Sequence, residues 1–493
     1  MIPTDRCRPQ FRFASILGTS AGYGMAELSG RLVQFAATFY LARQCSRADF
    51  GVFGFLIAIQ QVVALLGQAG LVELLTGKIA RANHSQGNEQ EIEPVHRMAS
   101  WYRFAWFSLV SSVLLLGTTT DRLAVSPFLL LPAAAGGLFL SKFYLESATH
   151  QIMQHRRMAI VLKVVPIALI YTVGVISFSF GKNQLVYFFG GALAALIGLT
   201  RVTRSWSMKT VFKEHDGKEI NLGSYVMQTL PYAVVAVLGW ISGYGNNVII
   251  KFIFGSETVA QYTLAFTLAM PIFMVCNATN QAWNPKFIEL SKTWIADDLN
   301  HANAAASAIQ ILMVSFCAVT LILFCPIFLK QLGGNLMNYA DVVPEAGFLM
   351  LGYVSLHLYY RVSIYYFVNH ESKRFMLNSI ISGLIGILIS VMLMITIGRI
   401  GIYYGFIITN VLLGVFFSTY AYTRWSIQWP TGNLTMAVAV IVGAIFLSKK
   451  MTSVIGLFIV YCGLVFFMGA VWFGLNRKLL RKVKKLALQP MNI

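Results

Sequence analysis

The stretch ASILGTSAGYGMAELSGRLVQFAATFYLA, residues 14–42, decides the fold class. It can cross a bilayer as a helix, because about 20 predominantly apolar residues suffice for that. It nevertheless carries Glu27 and Arg31 near its middle, four residues apart and therefore on one face of the predicted helix. Ionisable groups at membrane depth are costly and face a partner or a wet cavity. The pair therefore indicates a polar path through a membrane protein.

The composition of the whole chain is that of a membrane protein. Of its 493 residues, 57% are hydrophobic and only 12% are charged, with a mean hydropathy of +0.66. A soluble domain has about 25% charged residues. The first apolar run is too long for a cleaved signal peptide, so it is interpreted as a retained span. The net charge of +19 resides mainly in loops between apolar runs, which indicates membrane topology and contact with anionic headgroups rather than nucleic acid.

Apolar runs with short polar breaks predict an all-α polytopic membrane protein with about fourteen transmembrane helices. A cytoplasmic N-terminus places 24 Lys and Arg on the cytoplasmic side and 9 on the other, as the positive-inside rule requires, and leaves the C-terminus cytoplasmic as well. The predicted organisation is two six-helix bundles, 1–203 and 223–425, joined by a cytoplasmic linker at 204–222. An extra helix pair at 426–475 and a basic cytoplasmic tail at 476–493 follow. An apolar stripe in the tail predicts either a helix on the inner leaflet or a simple stop-transfer flank.

Two hairpins in the chain look alike. FYLARQCSRADFGVFGFLIAI (Phe39–Ile59) and VIIKFIFGSETVAQYTLAFTLAM (Val248–Met270) both have one cation at a helix end, then a turn with serine and an acid, then an aromatic residue that enters the next helix. This similarity predicts two pseudo-repeated halves in the same orientation around a central cavity, a plan known from transporters. Chance similarity between two membrane hairpins is the alternative.

Several segments resemble a known family. LARQCSRADFGVFGF (41–55) with QQVVALLGQAGL (60–71) in the first half, and GSETVAQY (255–262) with QAWNPKF (281–287) in the second, are similar to the polysaccharide biosynthesis exporters. These are the Wzx-type flippases for O-antigen (lipopolysaccharide), capsule and exopolysaccharide repeat units, in the multidrug/oligosaccharidyl-lipid/polysaccharide (MOP) superfamily. One departure is that Asn246 and Asn247 stand where the family often has an acid.

The resemblance implies a function that is not enzymatic. Such a flippase moves an undecaprenyl-diphosphate-linked oligosaccharide from the inner to the outer leaflet of the bacterial inner membrane by alternating access. It uses no bound cofactor, and an H⁺ or Na⁺ gradient is expected to drive it. A polysaccharide polymerase and a chain-length regulator are its expected protein partners.

Cations inside the spans are the candidate contacts for such a cargo. Arg31 and Arg361 are the first choices, because guanidinium groups bind oxyanions with two parallel hydrogen bonds. Lys142 and Lys163 are candidates for the inner mouth of the path, where they would meet the diphosphate first. The alternative for these two lysines is that they extend to the inner headgroups.

Two further residues are candidates for ion coupling or gating. Glu27 could hold Arg31 in the empty state or take up a proton, although a purely structural ion pair is the alternative. His357 lies four residues before Arg361 and could titrate at that depth. Nearby tyrosines could stack on sugar rings, or could form an aromatic belt at the membrane interface, which suits Tyr365 and Tyr366 best.

The chain has no recognisable catalytic or metal motif. GxSxG, HExxH and Walker sequences are absent, and the six cysteines form no CxxC pair. Two other functions remain open: a cation-coupled multidrug or small-solute exporter of the same superfamily, and a membrane-embedded polymerase or glycosyltransferase. The short predicted outer loops argue against a polymerase. The extra helix pair and the intramembrane cations favour an anionic, lipid-linked cargo over a drug.

Overall fold

The computed structural model describes residues 13–68, 70–72, 87–119, 125–152, 155–180, 184–203, 222–291, 294–369, 371–427, 430–450 and 453–488. In the first helix, side chains are described from Ser29 onward. The predicted linker therefore lies outside the described residues apart from Leu222, and so does the side chain of Glu27. No strand occurs in the described part.

Fifteen α-helices and one 3₁₀ helix make up the described chain. They are α1 (Phe13–Gln44), α2 (Arg47–Leu66), α3 (Gly87–Thr119), α4 (Pro127–Ile152), α5 (Arg156–Phe178), α6 (Gln184–Val202), α7 (Leu222–Ser242), α8 (Asn246–Phe254), α9 (Ser256–Ser291), α10 (Ala296–Leu332), the 3₁₀ helix Gly334–Tyr339, α11 (Val342–Val368), α12 (Ser372–Ile397), α13 (Ile400–Trp425), α14 (Thr431–Lys450) and α15 (Val454–Leu488).

The all-α polytopic fold is confirmed. Among the described residues, twelve helices are long and apolar enough to cross a membrane, and the bent pair α7–α8 makes thirteen. Helix α1 has 32 residues and rises by about 48 Å at 1.5 Å per residue, so it is long enough to be the fourteenth span. The helices follow the predicted spans closely, because continuous apolar runs of bilayer length can satisfy their backbone groups only as helices.

Helices α1–α6 are called the first bundle here and α7–α13 the second bundle. Helices α1 and α2 pack against α9 of the second bundle, so the two hairpins compared above lie at the centre of the molecule. Helices α14 and α15 pack outside, against α10. The end that carries the α1–α2 turn is called the turn end, and the opposite end, where α15 terminates, is the tail end.

The apolar run at 223–250, which predicts a single span, forms two helices in the structure. Helices α7 and α8 meet at 49° across residues 243–245. Polar groups stabilise the break, because Tyr262 Oη donates to Gly243 O at 3.1 Å and Asn246 Nδ2 donates to Ser242 O at 3.2 Å. Both carbonyls are thereby satisfied at membrane depth, where an unpaired backbone group would be costly.

The basic tail continues the last helix. Helix α15 runs without interruption from the predicted span through Leu488. Val483 is buried against the tail ends of α9 and α10. Lys482 Nζ lies 3.3 Å from Asp297 Oδ2 and donates to His301 Nε2 at 2.9 Å. The apolar stripe of the tail therefore packs on protein at Val483, while Arg477 and Lys478 remain exposed.

Candidate functional site

The two bundles are joined closely at the turn end. Arg47 Nη2 donates to Asn338 O at 2.7 Å, and Asn335 Nδ2 donates to Cys45 O at 2.8 Å. Gly51 lies so near the start of α9 that a Cβ atom there would overlap the carbonyl oxygen of Ser256. Backbone contacts of this kind exclude water, so the interface is closed at this end.

Further hydrogen bonds join the bundles near mid-membrane. Asn247 Nδ2 donates to Gly54 O at 3.0 Å, and Trp240 Nε1 donates to Ala58 O at 3.1 Å. Both donors belong to the broken α7–α8 pair and both acceptors to α2. Asn247, at the position where the family often has an acid, thus holds the two bundles together in this conformation.

A small cavity remains at the centre of this interface. Its volume is about 20 Å³, enough for about one water molecule. Its lining includes seven polar side chains, those of Gln34, Thr38, Tyr171, Tyr244, Asn247, Thr263 and Thr267. Gly54, Ile57 and several phenylalanine and methionine residues complete it. The path between the bundles is therefore nearly shut at this level.

Arg31 lies beside this cavity. Its Nη1 donates to Gln34 Oε1 at 2.6 Å, and Gln34 lines the cavity one helical turn further along α1. Because α1 runs toward the turn end, Arg31 lies on the tail side of the cavity. The predicted partnership with Glu27 falls on a side chain outside the described residues.

The two predicted lysines lie on neighbouring helices of the first bundle. Lys142 Nζ is 3.8 Å from Glu146 Oε1, and Glu146 is almost fully buried while Lys142 is partly exposed. Arg103 of α3, which the spacing did not single out, also interacts electrostatically with Glu146. Lys163 lies in α5, and the next residue along the chain, Val164, packs against Gly30 of α1. Arg31, Lys142 and Lys163 therefore lie on three helices of the first bundle, of which α5 packs against both α1 and α4.

His357 and Arg361 lie elsewhere, inside the second bundle, with 1% and 3% of their surfaces exposed. Gln310 of α10 connects them: its Oε1 accepts from Arg361 Nε at 2.9 Å and lies 2.6 Å from His357 Nδ1. Its Nε2 donates to Cys276 O at 2.9 Å, which fixes the orientation of the amide. His357 Nδ1 must therefore carry the proton that it donates to Gln310.

The other ring nitrogen of His357 then has a definite partner. His357 Nε2 lies 2.6 Å from Ser307 Oγ, and a neutral ring accepts the hydroxyl proton there. Arg361 is less well satisfied, because its Nη1 and Nη2 are buried and have no hydrogen-bond partner among the described residues. None of the residues that line the central cavity belongs to this network.

Tyr365 and Tyr366, which suited an aromatic belt best among the tyrosines of α11, do not face outward. Both side chains are buried inside the second bundle. Tyr365 Oη donates to Asn300 Oδ1 at 2.7 Å, and Tyr366 Oη donates to Phe417 O at 3.3 Å. Their hydroxyl groups find protein partners and their rings pack with other aromatic rings, so neither side chain needs the headgroup region.

Sequence reasoning missed two features of the interior. Polar residues at 303, 307 and 310 recur along one face of the apolar helix α10, and this spacing could have identified the network around Gln310. Lys251 of α8 is the second feature: its Nζ is buried, has no hydrogen-bond partner in the described part of the chain and lies 4.6 Å from the centre of the Phe55 ring. It lies one turn beyond Asn247 toward the turn end.

A profile of a family described as "Polysaccharide biosynthesis protein" matches residues 20–291, more than half of the chain. None of the curated protein sequences compared with the chain matches it.

Solved structures share the fold. The Lipid II flippase MurJ in an inward closed conformation superposes with a TM-score of 0.68 at 12% identity, covering 93% of this chain and 99% of that chain. A multidrug resistance MATE family transporter of the MOP superfamily, in an inward-facing conformation, gives a TM-score of 0.60 at 13% identity and covers 82% of this chain and 98% of that chain. At these identities the similarity is one of fold.

Proposed function

Because the chain belongs to the polysaccharide biosynthesis protein family, we propose that it is a flippase for lipid-linked oligosaccharides. Its cargo would be an undecaprenyl-diphosphate-linked repeat unit, moved from the inner to the outer leaflet of the bacterial inner membrane by alternating access. A transporter fold shared with MurJ and a MATE protein supports transport rather than catalysis.

The observation that carries the proposal is the set of cations that the helices of the first bundle carry within their apolar runs. Arg31, Arg103, Lys142 and Lys163 lie in α1, α3, α4 and α5, and Glu146 is the carboxylate described among them. A diphosphate cannot enter hydrocarbon without compensation of its charge, and guanidinium and ammonium groups supply that compensation. An excess of positive charge suits an anionic cargo and opposes a cationic drug.

The proposed direction follows from the charges in the loops. If the tail end faces the cytoplasm, as the positive-inside rule predicts, Lys142 and Lys163 would meet the cargo first and Arg31 would receive it beside the closed interface. Glu27 and His357 are proposed to couple or gate the cycle with H⁺ or Na⁺. Arg361 could reach the cargo only in a conformation in which α9, α10 and α11 separate.

An apolar groove on the outside supports a lipid cargo. It has a volume of about 590 Å³ and lies between α9, α10 and α15, with Leu312, Phe316 and Met468 among its lining residues. An isoprenoid chain could lie in such a groove while its diphosphate entered between the bundles. The product would serve a polymerase and a chain-length regulator in O-antigen or exopolysaccharide synthesis.

The fold shared with the MATE protein supports a second candidate, a cation-coupled multidrug exporter. The two candidates differ in what fails when the cations are removed. Loss of Arg31 should abolish transport of an anionic cargo, whereas export of cationic drugs should continue or improve when this positive charge is removed.

The test uses cells that lack the chromosomal copy and express Arg31→Gln or, as a control, Arg424→Gln. Arg424 is also basic, but its side chain is 66% exposed and pairs with Glu371 at the end of α13. We expect the first variant to lose surface polysaccharide and to accumulate complete lipid-linked repeat units in the inner leaflet. Normal surface polysaccharide in both variants, with altered drug resistance in the first, would favour the exporter instead.

A further inference from the structure

We propose that Arg361 is the centre of an anion-binding site inside the second bundle, and that a small inorganic monoanion such as chloride occupies it in the conformation described here. The site involves a residue for which a cargo contact is proposed above, but its occupation by a small anion does not depend on that function.

The first step concerns charge. The guanidinium group of Arg361 is always protonated and is almost fully enclosed by protein. Within the described chain, no carboxylate forms an ion pair with it. Gln310 is neutral, and His357, whose Nδ1 donates to Gln310, carries no negative charge. A buried charge without a counterion is strongly destabilising, so the cluster lacks one negative charge.

The second step concerns hydrogen bonds. Arg361 Nη1 and Nη2 are buried and have no partner in the described part of the protein. The carboxamide of Asn280 is buried as well, and neither its Nδ2 nor its Oδ1 has a partner there. Asn280 lies one turn from Cys276 on the same face of α9, and Cys276 O is bound by Gln310. The two free nitrogens of Arg361 are thus the unused donors that an anion would accept from, and Asn280 offers a further donor on the face of α9 that Gln310 binds.

The third step concerns the size and charge of the ligand. Helices α9, α10 and α11 enclose Arg361, so a diphosphate attached to a lipid and a sugar chain cannot reach it without rearrangement of the bundle. One unpaired guanidinium is neutralised by one negative charge, whereas a dianion would leave one buried negative charge without a partner. A halide meets both conditions, because it is small, monovalent and accepts hydrogen bonds from several directions.

The test measures thermal unfolding of the purified full-length protein in detergent without any lipid-linked cargo. Sodium gluconate is replaced stepwise by NaCl, NaBr or sodium phosphate at constant ionic strength. We expect chloride and bromide to raise the melting temperature saturably, by about 2–5 °C, whereas phosphate should not. A rise with phosphate alone would overturn the monoanion and point to an oxyanion site, and no saturable rise with any anion would overturn the site.

Three variants separate the site from general salt effects. Arg361→Met removes the charge and should melt in gluconate no lower than the wild type, without any response to chloride. Gln310→Glu supplies a negative charge beside Arg361 and should also lose the response. Arg424→Met, which removes an exposed cation that is paired with Glu371, should retain it. A chloride response that persists in Arg361→Met would refute the proposal.

The position of the anion can be checked directly. Crystals or vitrified samples prepared in bromide should show a bromide ion within hydrogen-bond distance of Arg361 Nη1 or Nη2. Water alone at that position, or bromide only at the molecular surface, would overturn the assignment. Because no cargo is present, failure of this proposal leaves the proposed flippase function untouched, and failure of the transport test leaves the anion site untouched.

Discussion

Replacement of Gly51 by alanine should shift the protein away from the conformation described here. A Cβ at position 51 would overlap the carbonyl oxygen of Ser256 and lie 2.6 Å from its carbonyl carbon. These are backbone atoms, so no rotation of a side chain can relieve the overlap. The α1–α2 and α8–α9 hairpins would have to move apart at the turn end.

The size of the shift follows from what that movement disrupts. Overpacking of a closely packed contact costs about 1–3 kcal/mol. Separation would also weaken the bonds from Arg47 to Asn338 O and from Asn335 to Cys45 O. A destabilisation of about 1–3 kcal/mol changes the ratio of closed to open molecules by about 5–150-fold.

Cys45 reports the opening. It is buried in the α1–α2 turn, and burial raises the pKa of its thiol to about 12, so the reactive thiolate is almost absent at pH 8. In a protein whose other cysteines are replaced, Gly51→Ala should increase maleimide labelling of Cys45 by about 5–150-fold. Unchanged labelling in a folded Gly51→Ala protein would show that this contact does not keep the turn end closed.

Two other glycines calibrate the experiment. A Cβ at Gly54 would meet only the side chain of Thr263, which can rotate, so Gly54→Ala should have a smaller effect than Gly51→Ala. A Cβ at Gly443 in α14 would have no neighbour within 4 Å, so Gly443→Ala should label like the parent. Equal effects of all three substitutions would indicate general loosening of the fold rather than opening of the turn end.

Four further substitutions test individual contacts. Gln310→Leu should lower the free energy of unfolding by about 1–3 kcal/mol for each buried group it leaves unpaired, measured by denaturation in detergent. Asp297→Asn should lower the free energy of unfolding by no more than about 1 kcal/mol, because the ion pair of Asp297 with Lys482 is exposed. Val483→Asp would bury a charge, so we expect it to detach the tail from α9 and α10 and make it sensitive to protease. Trp240→Phe removes one hydrogen bond to α2, worth about 1 kcal/mol, and should increase labelling in the assay above by about fivefold.

The positions of the spans could be predicted because the bilayer fixes the length and composition of a helix that crosses it. The break between α7 and α8 could not, although glycines mark it. It depends on Tyr262 of another helix, which satisfies the carbonyl of Gly243. The course of α15 was also uncertain from the sequence, because cations around an apolar stripe suit a lipid surface and a protein surface equally well.

The candidate site was only partly predictable for a similar reason. Hydropathy locates the depth of a charged residue but does not indicate which neighbour it faces. Helix α11 packs against α9, α10, α13 and α14, so the direction of Arg361 is decided by tertiary packing alone. Helix α1, which carries Arg31, packs against fewer helices, mainly α5 and α9. Because α5 belongs to the first bundle and α9 to the second, Arg31 lies close to the interface between the bundles.

The cations near the interface lie on both sides of the central cavity, and this arrangement bears on how a diphosphate could cross it. Arg31 lies on the tail side, and Lys251 lies on the turn side, where its Nζ rests over the Phe55 ring. Phe55 belongs to the same hairpin that the Gly51 contact holds against α9. Separation of the bundles at the turn end would therefore withdraw the ring from Lys251 at the moment the path opens. An ammonium group freed from a cation–π contact regains its full attraction for an anion. The same movement that opens the turn end would thus offer the proposed diphosphate cargo a second cation beyond Arg31, so the contacts that close this end and the cations on either side of the cavity would act together.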